Sequence, residues 1–159
     1  RKRRGQTHAT DFLTVGGMGH ASQIAYSIAS ALPDRRVICL DGDGALLMHT
    51  GGMAECAQHS NLMHIILNNG AHDSVGGQPT VAFNINLQKV AEGFGYSNII
   101  NATSASEIKS ALDRRAAGSM FLEVRCKRGN RKDLGRPDIA PNQNLTEFIH
   151  FLKGSNNDA

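Results

Sequence analysis

Short apolar runs without polar alternation constrain the fold of this chain more than any other feature. Residues 37–40 and 63–67 are runs of this kind, and segments of helical composition lie between and around them. A strand covered by helices on both faces has no solvent-facing positions, so its sequence lacks the alternation of a half-exposed strand. Strands that alternate with helices favour a parallel sheet with helices on both faces. We therefore predict a doubly wound α/β fold whose mainly parallel sheet has five or six strands.

Helix signals and composition predict the remaining elements. The spacing of Ser104 and Glu107 is that of a capping box, which predicts a helix from there to about residue 117. Asn144 and Glu147 have the same spacing and predict a terminal helix that ends near residue 153. The other predictions are strands at 12–15, 97–101 and 120–126, helices at 20–31, 45–59 (bent at Gly51-Gly52) and 86–94, and a loop at 68–80.

Composition excludes several classes of protein. The chain has 159 residues, which suits one domain, and its 40% hydrophobic and 19% charged content excludes a wholly disordered chain. No apolar run approaches the roughly 20 residues that a membrane-spanning helix needs, so we expect no membrane partner. The net charge of +3 is too small to indicate a nucleic-acid partner.

The cysteine pattern predicts the compartment in which the protein works. The chain has no C-x-x-C pair among Cys39, Cys56 and Cys126, so we expect neither a disulfide framework nor a thiolate zinc site. We expect reduced thiols in the cytoplasm instead. Residues 1–10 are basic and predict a solvated tail or linker, which leaves residues 11–159 as the domain. Because the chain does not begin with Met, we expect it to be cut from a longer protein.

Three polar, glycine-rich segments follow predicted strands, at residues 16–20, 41–44 and 68–74. In parallel α/β sheets, ligands bind outside the carboxyl ends of the strands. Glycines before a helix leave free amides at its positive dipole end, which attracts phosphate oxygens. Asp43 would repel a bare phosphate there, and a divalent cation that bridges carboxylate and phosphate removes the conflict. Because Asn69 offers a further hard oxygen, we predict a magnesium–phosphate site at this edge.

Other interpretations of these glycines remain open. Gly42-Asp43-Gly44 could be a tight turn with an aspartate N-cap. Gly17-Met18-Gly19 reaches Ser22 where a dinucleotide fingerprint has its third glycine, so that fingerprint is weak. The sequence contains no G-x-x-x-x-G-K-[ST], so a P-loop nucleotide hydrolase is unsupported.

Gly42-Asp43-Gly44, followed by Asn68-Asn69, resembles the GDG…NN motif of thiamine-diphosphate-dependent enzymes. The resemblance implies that the Asp43 and Asn69 side chains and the Ala71 carbonyl bind Mg²⁺. It also implies that the Gly16 carbonyl receives the cofactor's 4′-amino group and that Met18 supports its V-shape. The diphosphate is then expected over the amides of residues 44–45 and 71–74. The implied cofactor-binding residues are Gly16, Gly17, Met18, Gly19, His20, Gly42, Asp43, Gly44, Ala45, Asn69, Ala71, His72, Asp73 and Ser74.

Longer segments of the sequence resemble particular decarboxylases within this family. Residues 11–22, 67–80 and 131–137 are similar to phosphonopyruvate decarboxylases, and less closely to the cofactor-binding subunit of sulfopyruvate decarboxylases. The similarity implies decarboxylation of a 2-keto acid with an anionic head group, with phosphonopyruvate giving phosphonoacetaldehyde and CO₂. Sulfopyruvate is the second substrate and acetolactate-type carboligation the third possibility. An isolated cofactor- or nucleotide-binding domain is the non-enzyme alternative.

The resemblance covers nearly the whole chain after residue 10, but only the C-terminal half of such an enzyme. The glutamate that activates the cofactor's pyrimidine belongs to the other half. We therefore expect the isolated chain to be inactive and to need a pyrimidine-binding domain or subunit in a homo- or hetero-oligomer. A basic stretch is either a solvated loop or attracts a dianionic substrate or that partner. It comprises Lys127, Arg128, Arg131, Lys132 and Arg136.

Two of the seven histidines are candidate catalytic residues, because His20 and His72 each follow a predicted strand end. His72 lies within the implied cofactor loop, where it transfers a proton, contacts an anion or packs the loop. Four other histidines fall in helix or strand patterns, and we expect them either on the surface or in the core with hydrogen-bond partners. They are His49, His59, His64 and His150.

Overall fold

The computed structural model describes residues 10–114, 117–135 and 137–154. It divides into two units, of which the larger is Met18–Asn130. The smaller unit combines the described parts of Arg1–Gly17 and Arg131–Ala159. Most of the predicted basic tail, residues 1–9, lies outside the described residues, and so does Arg136 of the basic stretch.

The larger unit contains a parallel sheet of four strands in the order β1-β2-β4-β3. The strands are β1 (Val37–Gly42), β2 (Leu62–Asn68), β3 (Asn98–Ala102) and β4 (Met120–Arg125). In this register Cys39 lies opposite His64, and Asn68 lies opposite Arg125. The α/β fold with a parallel sheet is confirmed, but the described sheet has fewer strands than the five or six predicted.

The predicted strand at residues 12–15 is wrong, because this segment is irregular in the smaller unit. The backbone amide of Leu13 donates to Asn144 Oδ1, and Asn144 Nδ2 donates to the Asp11 carbonyl, both at 2.9 Å. The ring of Phe12 contacts Phe148, with 5.8 Å between the ring centroids. The peptide groups of this segment therefore bond to the side chain of a helix and not to a strand.

Six helices accompany the strands in the described residues. They are α1 (Ala21–Ala31), α2 (Asp43–Met48), α3 (Gly52–Cys56), α4 (Leu87–Phe94), α5 (Ala105–Asp113) and α6 (Pro141–Gly154). The stretch predicted as one helix at 45–59 is two short helices with a break at residues 49–51. Glycine weakens a helix, and the break occurs where the predicted bend at Gly51-Gly52 begins.

The capping box of α5 is confirmed in both directions. The Glu107 amide donates to Ser104 Oγ at 3.3 Å, and the Ser104 amide donates to Glu107 Oε2 at 3.0 Å. The helix ends at Asp113, before the predicted end near residue 117, and residues 115–116 lie outside the described residues.

The second predicted cap is wrong, because Asn144 lies inside α6 and is buried. The helix begins at Pro141, a residue type that suits the first helical position because its missing amide would have no helical partner there. Asn144 instead directs its amide group to the segment before the sheet, as described above for Leu13.

Apolar side chains of the sheet alternate between two cores, so both faces are covered. Ile66 and Phe121 pack with residues of α1, α3 and α4 on one face. Ile65 and Leu122 pack with residues of α5 on the other. Within the residues that are described, no helix combines the length and apolarity needed to cross a membrane.

Candidate functional site

The carboxyl ends of β1 and β2 bring two predicted metal ligands together. Asp43 is the first residue of α2 and is 1% exposed, and Asn69 directly follows β2. The backbone amide of Asn69 lies 3.4 Å from Asp43 Oδ1 and donates to it. The two residues, 26 positions apart in the chain, are therefore adjacent at this edge of the sheet.

Thr80 is a part of this site that the sequence analysis missed. Its hydroxyl donates a short hydrogen bond to Asp43 Oδ2, and Thr80 Oγ1 accepts from the Ala82 amide at 3.3 Å. Each carboxylate oxygen of Asp43 thus has a donor, which fixes the orientation of the carboxylate. The signal in the sequence is weak, since a threonine at the end of a long polar loop is ordinary.

The loop after β2 closes on itself through its backbone. The amide of His72 donates to the Gln78 carbonyl at 2.8 Å, and the amide of Thr80 donates to the Gly70 carbonyl at 3.0 Å. Ala71 is buried and forms a bridge to Pro79. This closure holds Ala71 close to Asn69, where a backbone carbonyl could join a metal site.

The Asn69 side chain is held by its own loop. Its Oδ1 accepts from the Ala71 amide at 3.1 Å, and its Nδ2 donates to Asp73 Oδ2 at 2.7 Å. Asp73 Oδ2 also accepts from the Gly129 amide at 2.7 Å. The loop therefore orients Asn69 through Asp73, which the sequence analysis assigned to cofactor binding.

A buried carboxylate supports this loop from the sheet, and the sequence analysis did not predict it. Glu123 of β4 is fully buried and accepts from Asn68 Nδ2 at 2.7 Å and from the Gln88 amide group. It also pairs with Arg125 Nε at 2.8 Å. Asn68 Oδ1 in turn accepts from the Gly70 amide at 3.1 Å. Buried charges need such partners, and here the partners lead to the loop.

Gly70 receives two further contacts. Its φ is +66°, and an added Cβ would overlap the Phe83 ring, which carries the Arg125 guanidinium 4.7 Å above its centroid. Arg128 Nη2 donates to the Gly70 carbonyl at 3.0 Å. Arg128 therefore binds the loop within this unit. The expectations for the basic stretch were a solvated loop, attraction of a dianionic substrate or contact with the partner, and none of them included this bond.

The two candidate catalytic histidines have structural neighbours. The His72 ring packs against Gly44, where an added Cβ would overlap it. His20 is exposed and stacks on His49, with 4.1 Å between the ring centroids. Loop packing, one of the alternatives for His72, is present, and a role of either ring in proton transfer stays a prediction.

The other predicted cofactor residues occupy both units. Gly16, with φ +72°, and Gly17 belong to the smaller unit, whereas Met18 and Gly19 belong to the larger. Gly19 is buried, and an added Cβ would overlap the His49 ring and the Ala45 carbonyl. In the larger unit Gly42 ends β1, Ala45 is half-buried in α2, and Ser74 is exposed in a short 3₁₀ turn. Their contacts with a cofactor remain predictions.

The donor set fits a magnesium ion. Asp43 supplies a carboxylate, Asn69 an amide oxygen and Ala71 a carbonyl, and Mg²⁺ prefers hard oxygen ligands of these kinds. No Lys, Arg or His side chain among the described residues forms an ion pair with the buried Asp43. A cation beside this carboxylate would therefore supply charge compensation that the described side chains do not.

The chain is similar to several known proteins. Phosphonopyruvate decarboxylase of Streptomyces viridochromogenes is 35% identical over 145 residues, which are 89% of this chain and 36% of that protein. Sulfopyruvate decarboxylase subunit beta of Methanothermobacter thermautotrophicus is 35% identical over 149 residues, 92% of this chain and 78% of that one. This chain thus spans about a third of the length of the phosphonopyruvate decarboxylases that it matches.

A solved structure and a family description complete the comparison. The thiamine diphosphate-dependent 4-hydroxybenzoylformate decarboxylase of Rhodococcus jostii has a TM-score of 0.58 and 26% identity, over 70% of this chain and 24% of that one. Residues 1–124 match the family described as thiamine pyrophosphate enzyme, C-terminal TPP binding domain. By this match, and by its identity with the sulfopyruvate decarboxylase subunit, the chain belongs to the family of C-terminal TPP-binding domains of thiamine pyrophosphate enzymes.

Proposed function

We propose that this chain is the diphosphate- and Mg²⁺-binding part of a thiamine-diphosphate-dependent carboxy-lyase that acts on phosphonopyruvate. Phosphonopyruvate decarboxylases are among its relatives, at 35% and 36% identity. The observation that carries the proposal is the adjacency of Asp43 and Asn69 at the ends of β1 and β2. The cofactor in this proposal, thiamine diphosphate, follows from the family to which the chain belongs.

In this proposal the Asp43 and Asn69 side chains and the Ala71 carbonyl hold Mg²⁺. Thr80 keeps the Asp43 carboxylate in one orientation through its hydroxyl hydrogen bond. Asp73 does the same for Asn69 through the 2.7 Å bond to its amide group. Amides of residues 44–45 and 73–74 are the donors for the diphosphate, because backbone N–H groups bind anions well when they are accessible. The other two amides expected to bind it are engaged within the loop, since Ala71 donates to Asn69 Oδ1 and His72 donates to the Gln78 carbonyl.

The protein supplies position and electrostatics, whereas the cofactor supplies the chemistry. Thiamine diphosphate, when bound, accepts the electrons released with CO₂ from a 2-keto acid. His72, whose ring packs on Gly44 beside Asp43, is our first candidate among the described histidines to contact an anion or move a proton near the diphosphate loop. His20 is the second such candidate.

Sulfopyruvate is the second candidate substrate. The chain covers 78% of a sulfopyruvate decarboxylase subunit beta, but only 36% of a phosphonopyruvate decarboxylase. The 35% identity with that subunit is the observation that supports sulfopyruvate. Phosphonate and sulfonate head groups are both anionic and need similar hydrogen-bond donors, so the chemistry of the head group does not separate the two substrates.

The active site also needs a pyrimidine-binding domain or subunit, which is the partner we propose. Sulfopyruvate decarboxylase subunit beta is, by its name, one subunit of such an enzyme. Without the partner's glutamate, the cofactor's pyrimidine is not activated, and the isolated chain should be inactive.

Product analysis tests the reaction. The complete enzyme, with thiamine diphosphate and Mg²⁺, is incubated separately with phosphonopyruvate, sulfopyruvate and pyruvate, and CO₂ and aldehyde are measured. We expect phosphonoacetaldehyde from phosphonopyruvate. Turnover of pyruvate alone would reject the phosphonate assignment, and turnover by the isolated 159-residue chain would reject the need for a partner.

Calorimetry tests the cofactor site without relying on activity. Thiamine diphosphate and Mg²⁺ are titrated into the complete enzyme and into its Asp43→Ala variant. We expect the variant to lose most of the affinity. The matched control is Asp34→Ala, which removes an exposed carboxylate before β1, at the amino ends of the strands. Equal affinity of the Asp43→Ala variant and the wild type would overturn the site.

A further inference from the structure

A second group of ligating side chains lies inside the larger unit, apart from Asp43, Asn69 and Ala71. Cys39 and Asp41 of β1 and His64 of β2 each place one ligand atom within 4.8 Å of the others. Cys39 and Asp41 are alternate residues of one strand and so face the same side of the sheet. The strand register sets Cys39 opposite His64, which brings the third side chain to them.

All three residues are buried, with exposed fractions of 4% for Cys39, 6% for Asp41 and 0% for His64. Two of their polar atoms, Asp41 Oδ2 and His64 Nε2, lack a hydrogen-bond partner within the described part of the chain. These two atoms face each other at 3.5 Å. Buried polar groups are normally satisfied, whereas these two atoms have only each other at ion-pair distance, and a cation bound by both would satisfy them.

The remaining polar atoms of the cluster are oriented by the fold. Asp41 Oδ1 accepts from the Gly42 amide at 3.0 Å, and His64 Nδ1 forms a 2.9 Å hydrogen bond with the Tyr96 hydroxyl. A histidine that ligates a metal characteristically donates its other ring N–H to a neighbouring acceptor. In the tautomer whose Nδ1–H donates to Tyr96, the lone pair of Nε2 points to Asp41 and is available to a cation.

The geometry suits zinc. Cysteine sulfur, histidine nitrogen and aspartate oxygen are zinc ligands, at about 2.3, 2.0 and 2.1 Å from the metal. Nitrogen and oxygen ligands of a tetrahedral zinc lie about 3.4 Å apart, close to the 3.5 Å between His64 Nε2 and Asp41 Oδ2. We propose that Cys39, Asp41 and His64 form a buried structural Zn²⁺ site.

Cys56 of α3 is the candidate for the fourth ligand in this proposal. Its Sγ lies outside the 4.8 Å group that the other three ligand atoms form, so it would move toward the metal on binding. Cys56 is fully buried in the same apolar cluster as Cys39. Its thiol donates to the Ser22 carbonyl at 3.4 Å, a weak hydrogen bond that a metal–thiolate bond would replace. Four protein ligands complete the tetrahedron of a structural zinc site without water. The metal would join β1, β2 and α3 beneath the segment that carries Asp43.

No C-x-x-C spacing is present in the sequence, and for that reason no thiolate zinc site was expected. Here the ligands meet through alternation along β1 and register with β2, which no short spacing reveals.

Cobalt spectroscopy tests the proposal. The protein is expressed in zinc-depleted medium with added Co²⁺, so that the metal enters during folding, and its visible and near-ultraviolet spectrum is recorded. With excess Mg²⁺ present to occupy the site at Asp43 and Asn69, we expect one Co²⁺ per chain, with the intense bands of tetrahedral cobalt and a sulfur-to-cobalt charge-transfer band. The oxygen ligands at Asp43 and Asn69 cannot give a sulfur band, so the result is independent of the proposed cofactor site.

Matched variants identify the ligands. Cys39→Ser should weaken the charge-transfer band or reduce the bound cobalt, and His64→Gln should reduce the bound cobalt, whereas Cys126→Ser, outside the cluster, should behave like the wild type. Circular dichroism shows which variants are folded, and if none is, the wild-type spectrum decides. Wild-type protein with substoichiometric cobalt, or cobalt without a sulfur band, would overturn the proposal and leave a direct contact between Asp41 and His64.

Discussion

Asn68 and Glu123 are joined by a hydrogen bond of 2.7 Å between Asn68 Nδ2 and Glu123 Oε1, across the neighbouring strands β2 and β4. Two routes lead from this bond to the loop that carries Asn69 and Ala71. One runs through Asn68 Oδ1 to the Gly70 amide, and the other through Arg125 and Phe83 to the α-carbon of Gly70. The buried carboxylate of Glu123 therefore supports the loop that carries two of the proposed metal ligands, Asn69 and Ala71.

The first prediction concerns that carboxylate. Glu123→Gln keeps an oxygen for Asn68 but sets an NH₂ group against the amide donor of Gln88. We expect a loss of about 1–3 kcal/mol in the free energy of unfolding, since a buried donor loses its acceptor. Affinity for thiamine diphosphate and Mg²⁺ should fall as well. Urea unfolding and calorimetry measure the two effects.

A compensating change serves as the control for this prediction. Adding Gln88→Glu to Glu123→Gln restores one donor and one acceptor at this contact, with the amide and the carboxylate exchanged. Part of the stability should return, as a coupling energy in a double-mutant cycle. A double variant no more stable than Glu123→Gln alone would contradict the arrangement.

The second prediction concerns Thr80. Thr80→Val keeps the shape of the side chain but removes the hydroxyl that bonds to Asp43. A hydrogen bond of this kind contributes about 0.5–1.5 kcal/mol, so we expect cofactor affinity in the presence of Mg²⁺ to fall by roughly 2- to 10-fold. Thr80→Ser keeps the hydroxyl and should stay near the wild type. Equal affinities of the two variants would show that Asp43 needs no such donor.

The sequence could not predict hydrogen bonds between residues that are far apart in the chain. Glu123 is 55 positions from Asn68, and Thr80 is 37 from Asp43, so no local pattern joins them. Buried strands and the Ser104–Glu107 capping box were predictable because their signals lie within a few residues. Asp43 and Asn69 were predictable for a different reason, since parallel topology places consecutive strand ends at one edge.

The errors have the same origin. The segment at 12–15 is apolar enough for a strand, but a strand needs a neighbour, and here its amides bond to Asn144. Asparagine is a common capping residue, and Asn144 has the capping-box spacing with Glu147. The helix nevertheless begins three residues earlier, at Pro141. A local sequence pattern does not show whether an asparagine side chain caps a helix or bonds to a distant backbone segment, because the same polar atoms can make either hydrogen bond.

The third prediction separates strain from crowding at Gly70. Gly70→Ala places a Cβ on a backbone with φ +66° and against the Phe83 ring. Gly95→Ala, the control, has φ +90° but nothing within 4 Å of its Cβ. We expect both variants to lose about 1 kcal/mol from the left-handed backbone, and Gly70→Ala to lose about 1–3 kcal/mol more from overpacking. Equal losses in urea unfolding would mean that Phe83 moves away freely.

The last prediction concerns the capping box of α5 and its dependence on pH. The pKa of Glu107 lies below its ordinary value because the Thr103 amide donates to the carboxylate, and the hydroxyl and amide of Ser104 assist. A carboxyl group whose pKa is lowered in the folded state stabilises the protein above its unfolded pKa. It loses that contribution as the pH falls through the folded pKa.

Glu107→Gln should therefore be less stable than the wild type at neutral pH, and the difference should shrink once the pH falls below the ordinary pKa of glutamate. Urea unfolding at a series of pH values from neutral to acidic measures it. Ser110→Ala, in the same helix, is the control, because serine does not titrate there and its offset from the wild type should stay constant with pH. A difference between Glu107→Gln and the wild type that is equally constant would show that the Glu107 carboxylate owes its place to packing and not to its charge.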